Sequence, residues 1–373
     1  MLKNRVSEWA VQGETPQQRI ETIKQMVASI PFDEANTKGY IKRLLHSATF
    51  EYEIDDDVRE SVVTSTMQHV AALEPNAQWH VVEYFVRFAT ESHDVAHGLF
   101  DDGEETHIEL ASENLRLTAI RILSNILMAS TTMDPLKRHI CERFLGPPML
   151  FYYGVSVAGA VVRVLQRVKL VTLKPELARY LLHKYLTLVK KGLGQAVPAG
   201  LKILSVQEPC LLAQEATVAA VLRVLNSLTK KTKNDVVLLA VEVLAKALAE
   251  TTDDKTRLRI SKAMFKHCEA VALTNAIEKA MLNLDLAAMD RSAQNELVDM
   301  LLAAASQCKE ALHLAALRIL GRQAPEGLSR DGIVNMTISS LSYPSKSVRN
   351  EAVNVVRQLL QNVNMPKHLQ RRV

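Results

Sequence analysis

The sequence predicts an all-α fold in which two-helix repeats stack into an α-solenoid. Three observations carry this. Ser345 to Asn362, SKSVRNEAVNVVRQLLQN, places Val348, Ala352, Val355, Val356, Leu359 and Leu360 at helical spacing, so it has one apolar stripe between polar faces and needs a neighbour to cover it. The pattern recurs upstream with a near-constant step. The 373 residues hold only 13 Gly and 12 Pro, few for a chain of many tight turns and suited to long helices.

Taken in order, Thr15 followed by Pro16 reads as a helix start, with the hydroxyl placed to cap backbone amides and Pro tolerated at the first helical position. That helix ends before Pro31. A shorter one covers Thr37 to Ala48 with Ile41, Leu44 and Leu45. A third opens at Asp55, Asp56 and Asp57, whose charges suit the positive end of a helix dipole, and carries Val62, Val63, Met67, Val70 and Leu73. Ala77 to Thr90 holds Trp79, Val82, Tyr84, Phe85 and Phe88, an aromatic stripe read as core. Glu91 to Glu109, with two glycines and seven acidic residues, reads as an exposed acidic loop or frayed helix.

From Ser112, taken as a cap, SENLRLTAIRILSNILMA aligns with the C-terminal helix: Leu115 with Val348, Arg116 with Arg349, Ala119 with Ala352. Small residues continue the series at Ala160, Ala199 or Gly200, Ala240, Ala280 and Ala315, giving steps of 35 to 41 residues. Between them lie amphipathic segments at Asp134 to Phe144, Pro175 to Val189, Glu215 to Leu228, Asp254 to Lys266, Ser292 to Ala305 and Asp331 to Leu341. Each interval thus holds two helices, and a period near 40 is that of stacked helical pairs.

These residues resemble the HEAT and armadillo superfamily. Val348, Arg349, Ala352, Val356 and Leu359 look like the second helix of a HEAT repeat, as do Leu115, Arg116, Ala119 and Leu123. Residues 119 to 127, AIRILSNIL, also resemble the third armadillo helix, including Asn125, whose family counterpart lines a concave groove and holds an extended peptide. The resemblance covers about residues 112 to 362. It implies a right-handed, curved α-solenoid of about eight or nine repeats that acts as a scaffold or adaptor without catalysis. An importin-type groove repeats Trp and Asn, whereas this chain has only Trp9 and Trp79, both before the clear repeats. A regular peptide-clamping ladder is therefore not expected.

The organisation is an acidic helical part over 1–111, repeats over 112–362 and a basic tail over 363–373. Residues 1 to 115 carry nine Lys or Arg against twenty-one Asp or Glu, whereas residues 160 to 235 carry thirteen against four. In a solenoid, a block of charge along the sequence becomes a zone of the surface, and a basic middle would attract an acidic partner. Solvation of outer helix faces is the plain alternative. The partner-binding residues expected are Arg121, Asn125, Arg163, Gln166, Arg167, Lys202 and Lys246, the polar positions of the anchored helices. A protein partner within a multi-protein complex is the first reading. An RNA- or DNA-binding subunit using phosphate contacts is the alternative, weakened because only Tyr180 and Tyr185 supply aromatics to the basic zone. Self-association of acidic end with basic middle is a third arrangement.

Catalytic signatures are lacking. There is no GxxxxGK[ST], GxGxxG or GxSxG run, and GLGQAVPAG, Gly192 to Gly200, reads as a turn between helices. His93 and His97 are four apart, but their polar segment offers no dry site, so no metal, cofactor or small-molecule substrate is expected. Cys141, Cys210, Cys268 and Cys308 are widely separated, which fits a reducing cytoplasmic or nuclear setting. The start, MLKNRVSEWAVQ, shows no secretory signal, and the longest uncharged run, Phe144 to Val162, is broken by Pro147 and Pro148, so no membrane span is expected.

Overall fold

Along most of the described chain, every helix packs on its sequence neighbour and also on the helix two places away. The computed structural model describes residues 73–90, 108–129, 132–146, 155–191, 196–227, 234–267, 271–282, 284–286, 288–307, 309–323 and 330–361, with isolated positions outside these ranges. The described helices are α1 (Pro75–Thr90), α2 (Ile108–Met128), α3 (Asp134–Phe144), α4 (Val155–Arg167), α5 (Pro175–Lys191), α6 (Ala196–Ser205), α7 (Pro209–Leu212), α8 (Glu215–Ser227), α9 (Asn234–Glu250), α10 (Asp254–Phe265), α11 (Val271–Met281), α12 (Arg291–Ala305), α13 (Glu310–Gly321), α14 (Asp331–Ser340) and α15 (Lys346–Leu360). A 3₁₀ turn, Leu170–Thr172, precedes α5.

The chain forms two compact units, Met1–Tyr185 with Gly194–Ala199, and Leu186–Leu193 with Gly200–Val373. In the first, α2 packs on α1, α3 and α4, and α1 packs on α3. In the second the two layers are explicit. Helices α9, α11, α13 and α15 pack in succession, helices α8, α10, α12 and α14 pack in a second succession, and each even helix joins the odd helix that follows it. This is an α-solenoid, because among the described residues the closely packed helix pairs all lie within one repeat of each other.

Hydrogen bonds across the second unit repeat the same step. Lys246 Nζ donates to the Ser205 carbonyl at 2.5 Å, and the Asp290 amide donates to Asp254 Oδ2 at 2.7 Å. Gln323 Nε2 donates to the Leu284 carbonyl at 3.1 Å while its Oε1 accepts from the Leu286 amide at 2.9 Å. Arg330 reaches Gln294 at 2.7 Å and Ser345 reaches Glu310 at 2.5 Å. All span 35 to 41 residues, one repeat. Buried Gln323 thereby satisfies open backbone groups beyond the end of α11, which a nonpolar residue there would leave without a partner.

Local chemistry sets the helix ends. Asp253 accepts from the Thr256 amide at 2.8 Å to open α10, and Asp290 accepts from the Ser292 and Ala293 amides at 2.9 Å to open α12. Near the N-terminus, Thr15 and helical Gln18 form a capping box: the Gln18 amide donates to Thr15 Oγ1 at 3.3 Å, and the Thr15 amide donates to Gln18 Oε1 at 2.9 Å. The end of that helix, the helix expected over 37–48 and the start at Asp55 lie outside the described residues. Val63 and Val70 are buried, and so are Val82 and Phe85 of α1.

Five expectations need correction, one of them the anchor Ala315, which is buried but stands one residue before the equivalent position of its helix, Ala316. Helix α2 begins at Ile108 rather than at a Ser112 cap, because residues 108–111, IELA, are themselves good helix formers. Ala196–Gly200 is the first turn of α6 and not a loop; Pro198 is tolerated there because first-turn amides lack acceptors. Ala160 and Ala280 are only half-buried. The equivalent core positions are Val161 and Ile277, which with Ala240, Ala316 and Ala352 are each the seventh residue of their helix and 0 to 1% exposed. Gly200 is the right choice at its anchor. A Cβ there would lie 2.8 Å from Val189 Cγ2 and 3.3 Å from Leu188 Cβ.

Candidate partner-binding face

Counting from the corrected anchors assigns the surface. The residue two places beyond the anchor is Arg121, Arg163, Lys202, Glu242, Lys279, Arg318 and Asn354 in successive odd-layer or equivalent helices, and every one of them is exposed. Four residues later, one turn on and therefore on the same face, stand Asn125, Arg167, Val206, Lys246, Arg322 and Gln358. The first row looks away from the core, whereas the second is mixed, with Arg167, Lys246 and Arg322 exposed and Asn125, Val206 and Gln358 half-buried.

In the first unit, α2 and α4 are packed against each other. Arg121 of α2 and Arg163 of α4 occupy the first row, and Asn125 and Arg167 the second. Gln166, expected as a row member, is half-buried one position to the side, because the anchor is Val161 and not Ala160. Lys202 and Lys246 belong to the second unit, where both are exposed, and Lys246 is engaged with Ser205. Thus the structure brings together Arg121, Asn125, Arg163 and Arg167 among the expected residues.

The electrostatics of this quartet are distinctive. Neither residues 116–128 nor α4 contains an acidic residue. Arg121, Arg163 and Arg167 form no ion pair or hydrogen bond among the described residues through their side chains, and guanidiniums remain charged at any physiological pH. The other layer of the same unit is different. Arg138 meets Glu142 at 3.0 Å, Arg143 meets Glu83 at 3.4 Å, and Lys174 meets Asp134 at 2.7 Å. His139 also pairs with Glu83, against the Trp79 ring at 5.2 Å. Burial by itself would raise Glu142, but hydrogen bonds from Tyr180 and Arg138 and the charge of Lys184 outweigh it and hold the carboxyl below its usual range. Arg138 and Lys184 further sit over the Tyr180 ring, at 4.0 and 5.3 Å. Arg138, Arg143 and Lys174 are therefore neutralised locally, while Arg121, Arg163 and Arg167 are not.

No family model and no curated protein matches the sequence. Among solved structures, an engineered protein is 15% identical over 95% of this chain and 88% of its own, with a TM-score of 0.43. Computationally designed armadillo repeat proteins for modular peptide recognition are 13% identical, covering 58% of this chain and 98% of theirs, with a TM-score of 0.40. The karyopherin Kap121p, solved bound to the SUMO protease Ulp1p, is 15% identical over 96% of this chain and 42% of the karyopherin, with a TM-score of 0.49.

Residues missed from sequence are Lys279, Arg318 and Arg322, which fall in the rows once the anchors are corrected. The signal was available. Val161, Val162, Val164 and Leu165 repeat the doublet spacing of Ala119, Ile120, Ile122 and Leu123, a better guide than the nearest alanine. His93, His97 and His107 lie outside the described residues. Among the described residues no group of three His, Cys, Asp or Glu could hold a metal, and no helix is long and apolar enough to cross a membrane. Cys141 is fully buried, and burial pushes its thiol up to about 12, which makes it a poor nucleophile.

Proposed function

We propose that the protein is a non-catalytic adaptor whose α2–α4 face docks an acidic segment of a protein partner. The carrying observation is the uncompensated set Arg121, Arg163 and Arg167 on the packed helices α2 and α4, where neither residues 116–128 of α2 nor any residue of α4 is acidic. Adjacent packed helices lie ~8–10 Å apart. Three residues of extended chain advance ~10 Å. Acidic residues spaced three apart in an extended segment therefore meet successive helices, with Asn125 free to bond the intervening backbone. A reducing cytoplasmic or nuclear setting belongs to the same proposal and is supported by the buried free thiol of Cys141.

The test is a fluorescence-anisotropy titration of the full chain with an extended peptide bearing Glu at every third position, beside a peptide of the same composition with its Glu residues clustered, and beside unstructured RNA. Tightest binding to the evenly spaced peptide, weakening as salt rises, is expected, because exposed ion pairs are screened. Equal binding of both peptides would remove the spacing argument. Preferential binding of RNA near physiological salt would replace the protein partner by nucleic acid.

A further inference from the structure

The repeat of α14 and α15 carries a second, chemically different surface. Helices α13 and α15 start one residue after Lys309 and Ser345, so their positions align at a step of 36. The core of α15, Val348, Ala352, Val355 and Leu359, aligns with Leu312, Ala316 and Ile319 of α13 and with Gln323 just beyond it, and all eight are buried. However, α13 buries a further face, including Leu317, Leu320 and Gly321, where α15 packs; the Gly321 Cα side lies so close that an added Cβ would be 3.1 Å from Val355. The aligned residues of α15 are Val353 and Arg357, which are exposed, and Val356, which is half-buried. Val353 is 37% and Leu360 64% exposed. Val353, Val356 and Leu360, at i, i+3 and i+7, make one uncovered apolar seam.

The charges beside the seam select its occupant. Lys346 and Arg357 are exposed, and Arg349 is half-buried and tethered to the Tyr343 and Pro344 carbonyls at 2.7 and 2.6 Å. The one acidic residue of α15, Glu351, lies 3.9 Å from Arg318 of the preceding repeat. Beyond the helix, Lys367 and Arg371 are exposed as well. A second copy placed seam to seam would bring these cations together, which is unfavourable. A helix with an apolar stripe and acidic flanks would cover Val353, Val356 and Leu360 and offset Lys346, Arg349 and Arg357.

We infer that α15 is a docking site for an amphipathic, acid-flanked helix of a partner protein, which packs on α15 as α15 itself packs on α13. The interaction is the helix-on-helix type, with Leu360 as the central apolar anchor.

The experiment uses the full chain carrying Arg121→Gln, Arg163→Gln and Arg167→Gln, so that the α2–α4 face attracts neither peptide by charge. The probe is a synthetic amphipathic peptide with Leu at i, i+3 and i+7 and Glu on both flanks, compared with the same peptide flanked by Lys. The Glu peptide should bind and gain helical circular dichroism, the Lys peptide should bind at least tenfold more weakly, and Leu360→Asp should abolish binding while leaving the melting temperature unchanged. Equal binding of the two peptides, or binding indifferent to Leu360→Asp, overturns the inference. Self-association in sedimentation that Leu360→Asp abolishes, without affinity for the Glu peptide, would assign the seam to a second copy and equally overturn it.

Discussion

In the first unit Arg121 and Arg163 stand on neighbouring helices with no carboxylate among residues 116–128 or on α4, whereas in the second Arg318, at the same position of its helix, lies between Glu278 at 3.0 Å and Glu351 at 3.9 Å. The repeat geometry is shared and the charge placement is not. Arg318 spends its charge holding α11, α13 and α15 together, and Lys246 likewise spends its ammonium on the Ser205 carbonyl. Arg121, Arg163 and Arg167 have no such described partner. A solenoid row can therefore serve as internal cement or as an outward-facing site, and the neighbouring residue types decide which.

Four changes would sharpen or break that contrast. The largest effect on the scaffold is expected at Gly200. Gly200→Val would drive a branched side chain into Val189 and Leu188, and overpacking of this kind costs ~1–3 kcal/mol, read as a lower melting temperature. Next, Arg163→Glu with Arg167→Glu should weaken acidic-peptide binding on the order of tenfold or more, with melting unchanged, because these exposed side chains have no described partner to lose. Arg318→Gln should show the reverse pattern, with peptide affinity unaltered and a stability loss of about 0.2–1 kcal/mol, typical of a pair that is 43% and 12% exposed. Chemical denaturation distinguishes the two.

The smallest effect concerns pH in the second unit. His313 is buried, bonds Ser340 Oγ at 2.6 Å and stacks on Tyr343 at 4.7 Å. Burial lowers its pKa, with the Ala305 carbonyl opposing. The unfolded chain, with His near ~6.5, then binds more protons than the folded one as pH falls, so stability decreases below about pH 6.5 and levels off once the folded imidazole is protonated. His313→Gln should flatten this slope in melting temperature against pH.

The all-α solenoid was legible because core formation obeys a period that survives in single residues. The segments expected at Asp134–Phe144, Glu215–Leu228 and Asp331–Leu341 match α3, α8 and α14 within one residue at either end. The site was less legible, for a definite reason. Ala is both the residue that close packing demands and a common filler of helix surfaces, so Ala160 and Ala280 imitate an anchor while Val161 and Ile277 fill it. A one-residue slip turns a helix by about 100°, which is enough to place Gln166 in the row instead of Arg167. The pairing of Arg318 was hidden for another reason: Glu278 and Glu351 are 40 and 33 residues away, and only stacking brings them near.

The charge-swap experiment addresses the central claim most directly. The full chain bearing Arg121→Glu, Arg163→Glu and Arg167→Glu is titrated with the Glu-every-third peptide and with its Lys-every-third counterpart. The acidic peptide should lose its affinity and the basic peptide should gain one of comparable size and salt dependence. Unchanged binding of the acidic peptide by this variant would contradict docking on the α2–α4 face.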